Sequence, residues 1–446
     1  MAKLGFFKKL SLSRKMIVGF MGAIFLGTLL LMVPSASTSG ESIGFLTALF
    51  TITSAVCVTG LTVIDISKEL TVFGQVIVLV FIQLGGLGVM TFSSLILLLI
   101  GKKITYEERE LLKEERNLEN SGGILKFLKK IIITVIVIEG IGALFLALRF
   151  AKDMNIGRAL YFGIFHSVSA FCNAGFSLFT DGLEGYAGSF TIIMTISYLI
   201  IIGGIGFTVI DSILLTTTKK VKRFDLTSKV AILVSMFLVC IGTVLFFILE
   251  YHNKGTIGDM TFFEKILASF FQSVTTRTAG YNSVPMGNLT GGSVFLFCIL
   301  MFIGASPGST GGGIKTTTFG VIIFYVIGVV KRKENIVIFN RRIGWEVLNR
   351  ALAILVLSLF YISIIVLIIL STESFSLDEV IFEVISAFAT TGLSLGITAD
   401  LSSLSQVLII CTMFLGRLGP MTLALAFGGS NKTEKIQFPK ENILVG

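Results

Sequence analysis

Four short stretches carry residue types and spacing from which chemistry could come: Ser54-Ala-Val-Cys-Val-Thr-Gly60-Leu, Ser169-Ala-Phe-Cys-Asn-Ala-Gly175-Phe, Val274-Thr-Thr-Arg-Thr-Ala-Gly280-Tyr and Ser386-Ala-Phe-Ala-Thr-Thr-Gly392-Leu. Their glycines recur about every 110 residues, and near-copies at such a period mark an internally duplicated chain. The chemistry they suit is the dehydration of a cation. An ion leaving water needs replacement oxygens, and backbone carbonyls supply them without net charge, so binding is not too tight for release. Aiming successive carbonyls at one axis demands backbone angles that glycine adopts without Cβ strain. The candidate ligating positions are Val58, Thr59 and Gly60, then Asn173, Ala174 and Gly175, then Thr278, Ala279 and Gly280, and finally Thr390, Thr391 and Gly392. Hydroxyls and the amide among them can anchor the loops or line a mouth. Packing glycines are common in membrane helices. Four in register, each after a half-length apolar segment, argue for more than packing.

A second set of glycines lies in the apolar segments that follow: Gly85, Gly86 and Gly88, then Gly203, Gly204 and Gly206, and then Gly416 and Gly419. The third segment differs. Val294–Val330 would be about 55 Å long as one helix, nearly twice the thickness of a bilayer's hydrocarbon. It is interrupted by Gly304, Pro307, Gly308, Gly311, Gly312 and Gly313, which cannot hold a helix. The expectation is a broken helix with a flexible loop just beneath the glycine ring, with Gly308, Gly311, Gly312, Gly313 and Lys315 as gate residues. Lys315 serves equally as an anchor for that loop. Arg417 sits inside the apolar run Val407–Phe427, where an unpaired charge costs at least a few kcal/mol. It reads as an electrostatic barrier below the cation site, in contact with the broken loop. Snorkelling to the headgroups is the competing reading. Gly308 to Thr316 is similar to a phosphate-binding loop, but has one residue too many and lies between apolar segments, so that reading fails.

These loops need a scaffold, and composition says which kind. Of the 446 residues 54% are hydrophobic, and the mean hydropathy is +0.92. Runs long enough for spans include Met16–Val33, Phe73–Ile100, Leu128–Phe150, Phe190–Leu215, Val230–Leu249 and Leu348–Leu370. Met16–Val33 is followed by Pro34 rather than a small-residue cleavage site, and reads as a retained first helix. The net charge of +9 could suggest nucleic acid or anionic lipid, but its clustered distribution favours membrane topology instead; membrane lipid, and no nucleic acid, is the expected surround. Lys3 to Lys15, Lys102–Lys130, Lys219–Lys229 and Lys331–Arg350 are basic, while the stretches between carry Glu41, Asp65, Asp181, Glu184, Glu373 and Asp378. That alternation is the positive-inside pattern.

Three apolar segments lie between successive basic clusters, so one of each three must enter and leave on the same side. The middle ones, Ile43–Ala55, Ile156–Phe171, Phe262–Val274 and Leu377–Ala389, are too short to cross. Each repeat is then outer helix, re-entrant half-helix, glycine loop and inner helix. The fold class is all-α integral membrane: eight transmembrane helices in four tandem repeats around one pore, multi-pass in the cell membrane, with both termini cytoplasmic. The divisions are a cytoplasmic segment 1–15, repeat 1 at 16–101, a cytoplasmic linker 102–127, repeat 2 at 128–218, repeat 3 at 219–330, repeat 4 at 331–428 and a cytoplasmic tail 429–446. If the half-helices point their C-termini at the axis, the negative ends of their dipoles face the cation. The mixed charge of the Lys102–Lys130 cluster reads as a solvated helix that could dock a partner. The five cysteines read as small hydrophobes. His166 and His252 are too far apart to suggest a metal pair, and nothing argues for an enzyme.

At these motifs the chain resembles the superfamily of K⁺ transporters comprising the bacterial Ktr and Trk systems with their plant and fungal relatives. The resemblance covers about residues 14–428. It rests on Thr-Gly-Leu at Gly60, Asn-Ala-Gly-Phe at Gly175, Arg-Thr-Ala-Gly-Tyr at Gly280 and Thr-Thr-Gly-Leu at Gly392. It implies four joined units around one pore, a potassium filter at the four glycines, an intramembrane gating loop at Gly304–Thr318 and a gate arginine at Arg417. With fifteen residues before its first span the chain is similar to Ktr-type membrane subunits rather than Trk-type ones. Glycine rather than serine at position 60 implies potassium over sodium. The resemblance further implies a homodimer on a cytoplasmic nucleotide-binding regulatory ring (KtrA/KtrC-like). ATP or ADP would sit on that partner, there would be no cofactor in this chain, and Na⁺ would be an activator. Two other classes compete: a secondary cation transporter with broken helices, which predicts inverted halves, and the K⁺-binding subunit of an ATP-driven pump.

Overall fold

The computed structural model describes residues 12–88, 124–217, 224–332 and 335–419. The segment 1–11, nearly all of the 102–127 linker with most of its basic cluster, and the tail 429–446 lie outside the described residues. The helices are α1 (Leu12–Leu31), α2 (Phe45–Cys57), α3 (Val72–Leu87), α4 (Ile124–Phe150), α5 (Ile156–Cys172), α6 (Phe190–Ile205), α7 (Phe207–Thr217), α8 (Leu226–Glu250), α9 (Phe262–Thr275), α10 (Gly291–Phe302), α11 (Thr316–Val330), α12 (Trp345–Thr372), α13 (Leu377–Ala389) and α14 (Ser403–Leu418). A two-stranded hairpin, Val337–Ile338 with Arg341–Arg342, joins α11 to α12.

Among the described residues four helices are long and apolar enough to cross a membrane, within α1, α4, α8 and α12. Their outward faces carry bare apolar side chains, such as Leu148, Met236, Phe360 and Leu367, each more than 60% exposed. A contiguous surface of that kind suits hydrocarbon rather than water. The half-length helices are the opposite. The last seven residues of α2 and the last four of α5, α9 and α13 are all buried. Their starts are fixed by side chains: Asn155 accepts from Arg158 N at α5, and capping boxes of Thr261 with Glu264 and Ser376 with Glu379 open α9 and α13.

Packing brings the chain round in a circle. α1 and α3 flank α2, α4 and α6 flank α5, and α12 and α14 flank α13. Each set then leans on the next: α3 packs on α5, α6 on α9, α10 on α13, and α14 returns to α2.

The continuous run Phe190–Leu215 is not one straight helix. It breaks at Gly206 into α6 and α7, bent by 97°. Gly206 takes φ +99°, and the freed Phe207 N–H donates to Gly308 O at 3.0 Å, which fixes the bend to another segment. The run Val294–Val330 is broken as expected, into α10 and α11 around residues 303–315.

Glu250, fully buried at the end of α8, ties that helix to the start of α10. It accepts from Thr290 N (2.9 Å), Thr290 Oγ1 (2.6 Å), Asn253 Nδ2 (2.6 Å) and Thr256 Oγ1 (2.6 Å). Glu250→Ala strands these donors together. Thr256 is buried, while Asn253 and Thr290 are half-buried and can turn to water. The fold should therefore lose about 2–4 kcal/mol, little more than the roughly one to three kcal/mol of a single buried group left unpaired. Thermal unfolding of the purified variant in detergent would check this, with Glu250→Gln recovering part of the loss.

Candidate functional site

The four glycines close a ring. Gly60, Gly175, Gly280 and Gly392 take φ of +101°, +70°, +77° and +91°. A Cβ on Gly60 would lie 2.7 Å from Ala174 O, and one on Gly175 would lie 2.8 Å from Ala279 O. On Gly280 and Gly392 it would come closer still, to Thr391 O and Thr59 O. Each glycine therefore faces the carbonyl that precedes the next glycine, and the last faces the first. No side chain fits at any of the four.

The loop before each glycine is built on a second unusual backbone position. Val58, Asn173, Thr278 and Thr390, each two residues ahead of its glycine, all take φ between +52° and +63°. At three of them the half-helix ends in the same way. Thr59 N donates to Ser54 O, Ala174 N to Ser169 O and Thr391 N to Ser386 O, each at 2.8 Å. This is a left-handed helix stop made without glycine. The third loop has Val274 where the others have serine, and there Ala279 N donates to Thr275 O instead (3.0 Å).

Ser54 and Ser386, which were not among the candidate ligating positions, hold the ring. Ser54 Oγ accepts from Gly60 N and Ser386 Oγ from Gly392 N, both at 3.0 Å. Ser54→Ala or Ser386→Ala should cost about 1–3 kcal/mol by orphaning that N–H. Unfolding midpoints would read this, with Gly140→Ala as control, since a Cβ there meets nothing within 4 Å. His166 is a packing element behind the second loop: Nδ1 donates to Phe162 O (2.8 Å), and Nε2 is in bonding range of Ser177 Oγ (3.1 Å).

The inner helices touch the half-helices through bare backbone. A Cβ at Gly85, Gly203 or Gly416 would overlap Val56 O, Phe171 O or Phe388 O, the carbonyl four residues before the respective ring glycine. The broken segment lies directly beneath the ring. Ser306 N donates to Gly204 O (3.0 Å), Thr310 N to Gly203 O (3.3 Å) and Gly312 N to Thr390 Oγ1 (2.9 Å). Thr310 Oγ1 reaches Asn173 Oδ1 (3.3 Å), and a Cβ on Gly311 would overlap Thr278 Oγ1. The loop expected to be flexible is thus pinned at several points, because backbone groups at this depth must find partners. Gly308 and Gly313 take φ of +68° and +69°. Lys315 Nζ donates to Gly311 O (2.8 Å), which makes it the anchor of its own loop.

Arg417 is where its contacts explain its cost. One guanidinium nitrogen donates to Thr310 O in the broken loop and the other to Gly85 O at the end of α3. It stands in the register that Gly86 and Gly204 occupy in the earlier inner segments.

On the side of the ring away from this loop lies a cavity of about 660 Å³ lined by all four ring glycines together with Asp65, Glu69 and Glu184. Burial and then the neighbouring Asp181 charge push the Glu184 carboxyl above its usual range, against the hydrogen bond from Asn282 Nδ2 (2.7 Å). Asp65 is held below its ordinary value: burial raises it, but hydrogen bonds led by Ser67 and Thr180 outweigh burial. The chemistry on offer is a carbonyl-lined constriction with acids above it and a basic residue below.

Comparison with known proteins identifies the family and the fold. Residues 13–436 match the TrkH family, described as cation transport protein. The Ktr system potassium uptake protein B of Bacillus subtilis is 40% identical over 96% of this chain and 95% of its own length. The potassium/sodium uptake protein NtpJ of Enterococcus hirae is 39% identical over 98% of each chain. The crystal structure of the potassium transporter TrkH from Vibrio parahaemolyticus superposes with a TM-score of 0.71 at 20% identity, covering 92% of this chain and 84% of that one, a likeness of fold. The chain belongs to the TrkH family of cation transport proteins.

Proposed function

We propose that this chain takes up potassium ions across a cell membrane through a single pore made by four tandem repeats, 16–101, 128–218, 219–330 and 331–428. Eight helices cross, the four half-helices re-enter from the outside, and both termini are cytoplasmic. The observation that carries this reading is the closed ring, in which every glycine meets the carbonyl before the next one. The names of the relatives, potassium uptake and potassium/sodium uptake, support the ion.

Within that reading the carbonyls around Thr59, Ala174, Ala279 and Thr391 replace potassium's water, helped by the converging C-terminal ends of α2, α5, α9 and α13. The acid-lined cavity concentrates cations at the outer mouth. The loop 303–315 with Arg417 is the gate. A homodimer docked on a separate nucleotide-binding ring is the proposed assembly, the ring being the part that senses ATP or ADP, and sodium the proposed activator.

The test is K⁺ flux into liposomes holding the purified chain, with Na⁺ as competitor and with or without the regulatory ring. Potassium-selective flux supports the reading; equal K⁺ and Na⁺ flux would leave a pore but overturn its selectivity. Because burial and the neighbouring Asp181 charge hold Glu184 above its usual range while Asp65 is held below its own, Glu184 takes a proton before Asp65 as the external pH falls from neutral. Flux at low K⁺ should therefore decline on acidification, and Glu184→Gln should start lower and lose most of that pH dependence.

A further inference from the structure

One charged group plays no part in the proposed pore. Arg277, next to the third filter loop, is only 9% exposed, and its guanidinium makes no hydrogen bond or ion pair among the described residues. Its backbone is engaged, since Arg277 O accepts from Asn173 Nδ2 at 3.2 Å, but its side chain turns into a cavity of about 230 Å³ between α6 and α8. Ile201, Ile205, Met236 and Cys240 are among the walls, and Ser235 Oγ, also without a partner, faces the same space. Ile201, Met236 and Cys240 are exposed on the apolar outer surface, so the cavity opens sideways, toward lipid.

A guanidinium stays charged, and a buried charge is costly unless paired. The missing partner is an anion, and the apolar walls require that the anion carry an apolar chain. A carboxylate matches the guanidinium fork with two parallel hydrogen bonds. Depth selects among anionic amphiphiles. The 14 residues of α9 span about 21 Å, and Arg277 lies beyond its far end, well inside a hydrocarbon layer roughly 30 Å thick. The phosphate of a bilayer phospholipid is fixed at the surface, whereas a single-chain acid enters hydrocarbon in its neutral form. The volume is about that of seven or eight waters at roughly 30 Å³ each, room for a carboxyl and its first methylenes, with the remaining chain trailing into the bilayer.

We infer that the cavity between α6 and α8 is a lateral site for a free fatty acid, whose carboxylate pairs with Arg277 and cancels a positive charge beside the third filter loop. The inference rests on the membrane-embedded pore proposed above. With the site filled, the loop Thr278–Gly280 loses a repulsive neighbour and holds a cation more readily, so bound fatty acid promotes uptake.

The experiment uses the full chain in phosphatidylcholine nanodiscs and a photoreactive diazirine analogue of lauric acid, with labelled peptides mapped by mass spectrometry. Wild type should label on α6 or α8. Unlabelled laurate should compete at least tenfold better than dodecanol, which has the chain without the charge. Arg277→Gln should reduce labelling at least tenfold. Ser235→Phe, which fills the cavity and leaves Arg277 in place, should do the same and guards against a fold defect in the first variant. Rubidium influx into liposomes should rise at least twofold with laurate in wild type and in neither variant. Equal labelling of the variants, or equal competition by dodecanol, would overturn the site; competition by phosphatidylglycerol equal to that of laurate would overturn the fatty-acid assignment. Labelling does not depend on flux, and wild-type flux without laurate reports on the pore alone, so failure of one reading is separable from failure of the other.

Discussion

Gly392→Ala should reduce K⁺ flux at least a hundredfold in protein that still inserts and folds, and Gly392→Asp should abolish it. Alanine at φ +91° has a strained backbone, at roughly 1–2 kcal/mol for a left-handed L-residue. Its Cβ would overlap Thr59 O, the carbonyl before the neighbouring ring glycine. The loop must then shift, and a shift here moves both its own carbonyls and the one it strikes. A change that disorders two of four ligand sets by about an ångström costs several kcal/mol of ion stabilisation, and each 1.36 kcal/mol is a factor of ten. The same substitution at Gly140, where a Cβ meets nothing, should leave flux within twofold and slightly favour the helix. Flux measured with rubidium in liposomes, normalised to inserted protein, separates the two. Near-normal flux through Gly392→Ala would remove the ring from the mechanism, because no smaller side chain exists to test it.

The ring glycines were legible in the sequence because glycine at a fixed place in four similar stretches is a backbone signal. The residues two places ahead of them could be named, but not their backbone conformation. Val58, Asn173, Thr278 and Thr390 share a left-handed conformation that β-branched residues seldom take, so valine and threonine argue locally against it. Packing imposes it: Thr390 Oγ1 accepts from Gly312 N, and Asn173 Nδ2 donates to Arg277 O, both contacts between segments more than seventy residues apart. The bend at Gly206 escaped for a related reason. Phe190–Leu215 is apolar throughout, and hydrophobicity alone does not distinguish a straight span from two helices at 97°. The partner that draws Phe207 away is Gly308, in another segment. Arg417 was legible as an anomaly, a cation in an apolar run, and the loop it would meet was named correctly; its second contact, Gly85 O, lies more than three hundred residues away and left no local trace. Arg277 lies within the third of the repeated stretches, and only the cavity between α6 and α8 makes its charge conspicuous.

Arg417 and the broken loop give the second large effect. Deleting Ser309–Gly313, or replacing Arg417 with glutamine, should raise K⁺ flux at least tenfold in the absence of any regulatory subunit. The loop is held under the ring by Ser306 N on Gly204 O, Thr310 N on Gly203 O, Gly312 N on Thr390 Oγ1 and the Arg417 bridge to Thr310 O. Neutral hydrogen bonds contribute about 0.5–1.5 kcal/mol each and one to a charged group about 1.5–3 kcal/mol. Removing the bridge therefore shifts the balance between occluded and open loop by one to two powers of ten. The two ways Arg417 can resist a cation are separable by Arg417→Lys. Lysine keeps the positive charge beneath the ring, but one ammonium lacks the fork that spans two carbonyls on different segments. If repulsion dominates, the lysine variant conducts like wild type; if the bridge dominates, it conducts like the glutamine variant. The contacts favour the bridge, since a guanidinium whose donors are committed to Thr310 O and Gly85 O is a strut between the loop and α3. Arg417→Lys should therefore also raise flux, by at least half as much as Arg417→Gln on a logarithmic scale. Unchanged flux in both the deletion and the glutamine variant, with normal insertion, would mean that the loop lies beside the ion's path rather than across it.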